Sequence, residues 1–261
     1  MVDDDARAMV TSRISAAVVL RWRSYGESDK IVTFLTKDFG KLTGIGKGAK
    51  NSRRRFPNSL ELLARVRVQF RLRNEASLAF LESCELTSPN SKDWDPRRLA
   101  YGAYLAELVE QMTVEWNPSP EIYELLVEAL GSLDRGPATA AFLRAFELQL
   151  LERAGFASPL DHCQRCGSSL DATGESFFDP RQGAFSCTRC HPGEDSHFAV
   201  PAALIGRLRD LRGARLSGCA EHPLGANREL AARLTGELLA LHLVRPLKSI
   251  RLIEQLNADR S

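Results

Sequence analysis

Two Cys-x2-Cys pairs, Cys163/Cys166 and Cys187/Cys190, stand twenty residues apart in the second half of the chain. Each pair can place two thiolates on one tetrahedral ion, and a hairpin of the intervening length can bring the pairs together. Gly167 and Gly174 relax the turns, and Phe177, Phe178 and Phe185 supply a small apolar cover. A unit this small cannot be held by apolar burial alone, so metal binding contributes its folding energy. The spacing predicts one structural zinc ion, Zn2+, held by Cys163, Cys166, Cys187 and Cys190. Two disulfides or a redox pair are the competing uses, but neither pair lies beside the βαβ pattern of a redox Cys-x-x-Cys. Four thiolates leave no coordination position open for chemistry. His162, His191 and His197 are expected to be exposed loop histidines. Cys84 and Cys219 are expected to be small buried hydrophobes.

The rest of the chain is that of a soluble protein of one large or two to three small domains. Its 261 residues are 44% apolar and 26% charged, no run approaches a membrane span, and the start VDDDARA is not a secretory n-region. A reducing cytoplasm is the expected compartment, which also favours a metal over disulfides. The net charge of +2 says little, but its distribution says more. Between Lys41 and Arg73 lie Lys41, Lys47, Lys50, Arg53, Arg54, Arg55, Arg65, Arg67, Arg71 and Arg73, against Glu61 as the one acid. Such a local positive field is expected of a surface that meets phosphates.

That field coincides with β character. After a loose arm over residues 1–12, strands are predicted from Ile14 through ISAAVVLRW, in KIVTFLT and in the glycine-laced KLTGIGKG. Two more follow, over residues 62–73 and 77–86. Gly44, Gly46 and Gly48 recur at period two and leave one face bare, as a bent barrel strand or a close backbone approach requires. In the fourth strand Val66, Val68, Phe70 and Leu72 share one face, and Arg65, Arg67, Gln69, Arg71 and Arg73 the other. Five short strands in this span suggest a small closed barrel, with the OB-fold as the common five-stranded choice and an SH3-like barrel as the alternative. Arginines two residues apart on a strand stand about 7 Å apart, the scale of successive phosphates along one strand. Lys47, Lys50 and the Arg53–Arg55 loop extend the same surface. Trp22, Tyr25 and Phe39 are available for base stacking, with core packing as the competing role of Trp22 and Phe39.

A polar hinge at Ser88–Lys92 precedes helices opened by Asp95-Pro96, by Ser119-Pro120 and near Pro137, the last ending at Gly155. Glu107, Glu110, Glu115, Glu124 and Glu128 read as solvated faces. Beyond the cysteines, Pro201 opens a helix through Leu211. Asn227 is expected to cap a longer one using Leu230 to Leu243 and ended by Pro246, and the closing segment is a short helix or a strand. The expected architecture is therefore α+β and multidomain. Residues 1–86 form a basic OB-fold, residues 87–160 and 197–261 a helical domain, and residues 161–196 a four-cysteine module inserted between helices as a strut.

No G-x-S-x-G, H-E-x-x-H, phosphate loop or Rossmann fingerprint occurs, so an enzyme is not expected. The combination of VVLRWRSYGESDKIVTFLTKDFGKL at 18–42, KGAKNSRRRF at 47–56, FLESCEL at 80–86, the two cysteine pairs and HLVRPLKSIRLI at 242–253 resembles the RecO family of bacterial recombination and repair proteins. The family often has Gly-Gly before its second cysteine pair, where this chain has Gly183-Ala184. The resemblance implies a non-catalytic mediator that binds single- and double-stranded DNA and anneals complementary strands. It further implies a RecR-type partner, docking of the acidic tail of single-strand-binding protein, and loading of RecA recombinase, in a cytoplasmic, nucleoid-associated setting without membrane contact. It carries Lys47, Lys50, Arg53, Arg54 and Arg55 over as the family's basic stretch and the four cysteines as its zinc ligands. The residues themselves leave two other uses open, a protein-interaction adaptor in the same complex and an OB-fold that binds RNA.

Overall fold

The computed structural model describes residues 11–72, 78–88, 94–170, 174–193 and 196–258. The arm over residues 1–10, Arg73, the turn at 74–76 and most of the hinge at 89–92 lie outside the described residues. The chain divides into two compact units, Met1–Asp95 with Gly102–Val127, and Pro96–Tyr101 with Glu128–Ser261.

In the first unit β1 (Ser12–Tyr25), β2 (Asp29–Thr36), β3 (Gly40–Gly46), β4 (Arg65–Arg71) and β5 (Ala79–Leu86) close into a barrel of order β1-β2-β3-β5-β4. All pairings are antiparallel except β3 with β5, where Gly44 faces Ala79 and Ile45 faces Phe80. This is the five-stranded OB-type barrel that the strand count suggests. Alternation along each strand fills it: Ala17 and Val19, Val32 and Phe34, Leu42, then Val66, Val68 and Phe70, and Ala79, Leu81 and Cys84 point inward. Two of the three spaced glycines do what their period implies. A Cβ on Gly44 would meet Leu81 Cδ2 at 2.5 Å, and one on Gly46 would meet Ala49 Cβ at 3.1 Å, so β3 stays bare where the barrel is narrow. Gly48 instead follows the strand in the left-handed region, at φ 66°. β1 is longer than expected and carries a bulge between Val19 and Arg21, which bends it around the barrel.

Two helices follow, α1 (Pro96–Met112) and α2 (Pro120–Arg135), and each contributes residues to both units. Within the first unit the stretch from Glu110 to Asn117 is tied to β3. Lys41 Nζ donates to the carbonyls of Glu110 (2.5 Å) and Thr113 (2.6 Å), so it caps the C-terminus of α1. The Trp116 N–H returns to the Lys41 carbonyl at 2.9 Å, and Thr43 Oγ1 donates to Glu115 at 2.9 Å. Gly40, at φ 69°, lies so close to Asn117 that a Cβ would sit 2.1 Å from its carbonyl oxygen.

The second unit is built on α3 (Ala140–Arg153), which is buried from Ala141 to Leu151 and packs against α4 (Ala202–Gly213) and α5 (Arg228–Ala240). Thr139 caps α3 by accepting the Phe142 N–H at 3.2 Å, and Gly155 follows its end at φ 83°. The polar Gln149 is buried usefully, donating to the carbonyls of Leu211 (3.3 Å) and Ala214 (2.9 Å) at the end of α4. Two expectations need correction. Asn227 makes no side-chain cap, since the chain enters α5 directly from a 3-10 turn over Gly225–Asn227. That helix also stops at Ala240, well before Pro246. The closing segment is the helix α6 (Ile250–Ala258).

Candidate metal centre and basic surface

Between α3 and α4 a three-stranded antiparallel sheet of order β7-β6-β8 is formed by β6 (Glu175–Asp179), β7 (Ala184–Cys187) and β8 (Phe198–Pro201). The two cysteine pairs are turned toward each other by matching backbone bonds. In the first, the Gly167 N–H donates to the Cys163 carbonyl at 2.8 Å, with Gly167 at φ 71°, and Gln164 N–H reaches the Phe185 carbonyl at 2.9 Å. In the second, the N–H groups of Cys190 and His191 both donate to the Cys187 carbonyl at 3.0 Å. All four Sγ atoms thereby lie within 4.8 Å of one another.

This donor set fits a tetrahedral ion. Metal–sulfur bonds of about 2.3 Å imply sulfur–sulfur edges of about 3.8 Å, and Cys166 Sγ stands 3.8 Å from Cys187 Sγ. None of the cysteines is disulfide-bonded. Proton affinities within the cluster are split. Burial works against ionisation of Cys187, but the Cys190 N–H and the neighbouring Ser168, Cys166 and Cys190 side chains outweigh it and bring the thiol down to about 6. Cys190 is pushed up to about 12, chiefly by its hydrogen bond with Cys166. Thiols that lie this close cannot all ionise without a cation among them. Cys84 and Cys219 are the buried hydrophobes expected, their thiols pushed by burial up to about 12 and about 11.

The module is braced on the helices of its own unit. Asp161 accepts from Arg209 at 3.2 Å and lies 3.7 Å from Arg212, and Ser158 Oγ donates to the Gly183 carbonyl at 2.7 Å. Gly183 admits no side chain, because a Cβ would meet Leu241 Cδ1 at 2.7 Å. The Arg233 guanidinium lies 3.9 Å from the centre of the Phe198 ring. His191 and His197 are not the exposed loop histidines expected. His191 stacks on Phe177 at 3.8 Å with its Nδ1 3.4 Å from that of His197, and His197 Nε2 lies 3.3 Å from Asp179. Phe177 provides the flat partner that converts a loop histidine into part of the packing.

The basic residues of the barrel fall into two sets. Several are engaged in holding the fold. Lys47 pairs with Asp29 at 2.8 Å, Lys50 donates to the Gly26 carbonyl at 2.8 Å, and Arg55 reaches the Lys47 carbonyl while its guanidinium lies 5.1 Å from the centre of the Phe56 ring. Arg71 pairs with Glu82 at 2.7 Å, and Arg65 also has interactions within the protein. Asp29 is held down at about 2 by the Lys47 ammonium and then by the Gly48 N–H, and Lys47 is raised in return. By contrast Arg53, Arg54 and Arg67 are exposed and carry no ion pair among the described residues. Arg65, Arg67 and Arg71 do share the outward face of β4, opposite Val66, Val68 and Phe70. Of the aromatic residues, Trp22 and Tyr25 are exposed, and Phe39 packs edge-on against Phe70 at the margin of the core. Of the acidic groups read as solvated, Glu124 and Glu128 are exposed as expected, the first pairing with Lys37 at 3.2 Å and the second accepting the Leu216 N–H at 3.1 Å, whereas Glu110 is half-buried and pairs with Arg21 at 2.9 Å.

Comparison with known proteins agrees with both halves of this architecture. Residues 9–90 match the family described as Recombination protein O N terminal, and residues 94–251 the family described as Recombination protein O C terminal. Among curated relatives, DNA repair protein RecO of Anaeromyxobacter sp. (strain K) is 37% identical over 92% of this chain and 94% of its own length. The protein of that name from Myxococcus xanthus is 37% identical over 93% and 97%, and that from Geobacter metallireducens 35% over 93% and 97%. With family models matching residues 9–90 and 94–251 and relatives at least 35% identical along more than nine-tenths of both chains, the chain belongs to the RecO family.

Proposed function

We propose that this protein is a recombination mediator of DNA repair that holds DNA on the barrel without catalysing a reaction. Residues 1–86 handle DNA, residues 87–160 and 197–261 form the helical platform, and residues 161–196 are a module held by one structural zinc ion on Cys163, Cys166, Cys187 and Cys190. The observation that carries the reading is the exposed Arg53–Arg54 pair on its loop, with Arg67 exposed on the outward face of β4 and, among the described residues, no ion pair on any of the three. Lys47, Lys50, Arg55, Arg65 and Arg71 belong to the same contact surface, several of them also shaping it, and Arg73, outside the described residues, is assigned to it from the sequence alone. Phosphates are the natural partner of such unpaired guanidinium groups, and contacts to phosphates leave base edges free. Single and double strands are then both bound, and two complementary strands held with open edges anneal. Family membership supports the wider role, in which a RecR-type partner and the acidic tail of single-strand-binding protein bring the chain to coated DNA and RecA recombinase is loaded.

Counterion release makes this testable. Affinity for a single-stranded oligonucleotide should fall steeply with salt, with a slope of about −0.7 per phosphate contacted. The R53E/R54E/R55E protein should lose most of its affinity at 50–200 mM salt, on the order of a hundredfold. A flat salt dependence, or unchanged binding by that variant, would remove the loop from the site.

A further inference from the structure

At one end of the barrel the inward register of β2 does not stop with the apolar core. Phe34 and Val32 point inward, and the next residue on that face is Lys30, paired in the ladders with Ser24 of β1 and Gly46 of β3. Trp22, directly opposite Val32 and therefore on the same face, is 37% exposed, and Lys30 Nζ lies 4.1 Å from the centre of its ring. Lys30 also pairs with Glu61 at 2.9 Å. Beside it opens a groove of about 350 Å3 whose floor is Phe56 and Leu60. Its walls carry Lys50, Asn51, Arg53 and Asn58 as well as Lys30, with Glu61 as the one acid. Lys30 thus sets a cation in the barrel mouth, over an exposed indole and beside amides, where an entering phosphate can compete with the single acid for it.

We infer that this barrel mouth is a nucleotide seat selective for single strands, in which Lys30 and Arg53 take one backbone phosphate and Asn51 and Asn58 face the attached nucleoside. The inference rests on the DNA-holding role proposed above. A groove of this size holds one nucleotide unit, and a flexible single strand can dip into it. Duplex phosphates lie on a stiff convex surface and reach only the rim, where Arg53 and Arg54 stand. Glu61 is the built-in competitor: it occupies Lys30 when the groove is empty and repels an entering phosphate.

The test compares oligo(dT) with a hairpin duplex of equal charge, at fixed salt, for Lys30→Met, Glu61→Gln and the pair Asn51→Ala with Asn58→Gly. Glycine is used at Asn58 because its φ is 53°. Lys30→Met and the asparagine pair should each weaken oligo(dT) binding by about fivefold or more, with Lys30→Met also flattening the salt slope by about 0.7. Glu61→Gln should tighten it severalfold, and duplex affinity should stay within about twofold throughout. Should Lys30→Met fail to fold, the other two variants decide. Equal changes on both DNAs, or none on oligo(dT), overturn the seat while leaving the rim contacts intact. Unchanged binding of both DNAs by R53E/R54E/R55E would instead take the loop, and Arg53 with it, out of the DNA contact, whereas a flat salt dependence of the parent would remove the DNA-holding role itself.

Discussion

Lys41 shows how a residue's partners decide its use. By charge it belongs to the basic run between residues 41 and 73, yet its ammonium is spent on the last carbonyls of α1. Lys41→Met should lower stability by about 1–2 kcal/mol and leave the salt dependence of DNA binding unaltered, as read by thermal melting and titration together. Asp29 behaves similarly. Its carboxylate holds Lys47, the Gly48 N–H and Ser28 Oγ, and so joins the turn after β1 to the loop after β3. Because its folded pKa, about 2, lies below the ordinary 3.8, its stabilising contribution is complete at neutral pH. That contribution begins to fade near pH 4 and is gone once the pH has fallen through about 2. Melting temperatures of Asp29→Asn and the parent should therefore differ at pH 7 and converge toward pH 2. Gly40→Ala should be costly for a different reason, about 1–3 kcal/mol, because the Asn117 carbonyl leaves no space and φ is already positive. None of these three roles has a local signature, since the deciding partners, Glu110 and Thr113, Lys47 and Gly48, and Asn117, lie far along the chain.

At the scale of elements, the cysteine module is the clearest case of local legibility. Spacing alone specified a four-thiolate cluster, because each Cys-x2-Cys turn is made by its own backbone and the hairpin between them is short. The strands of the barrel were likewise legible from alternation, and β4 from its strict two-faced pattern. Helix ends were read less well: Thr139 caps α3, but Asn227 makes no side-chain cap on α5, where a 3-10 turn leads into the helix and the Arg228 N–H donates to the Gly225 carbonyl. Metal analysis should find about one zinc per chain, and Cys163→Ser with Cys166→Ser should abolish it. Stripping the metal should cost the module most of its folding energy, on the order of 10 kcal/mol in small zinc units, seen as loss of the ordered module in hydrogen exchange. A double variant that lost metal and melted unchanged would contradict the strut.

Across the whole molecule, the proposed DNA contact and the four-cysteine cluster fall in different compact units, the first in the unit of the barrel with residues 102–127 and the second in the other. Removing metal should accordingly lower the melting transition of the second unit first and weaken strand annealing only secondarily. Calorimetry and an annealing assay on the same stripped sample would check the order, and annealing lost before any melting change would reverse it. No described helix is long and apolar enough to cross a membrane.

The cysteine spacing, the strand alternation and the position of the positive charge were decided by the sequence alone, because each depends on residues within one turn, one strand or one loop. Which cations are engaged within the protein, and which are not, was decided by tertiary structure. Lys41, Lys47, Lys50 and Arg71 found carbonyls or carboxylates from other segments, while Arg53, Arg54 and Arg67 were left facing water. The turn of Lys30 into the barrel mouth has the same origin. A strand's inward face is set by its own alternation, but where that face leaves the core is set only when the barrel closes around it.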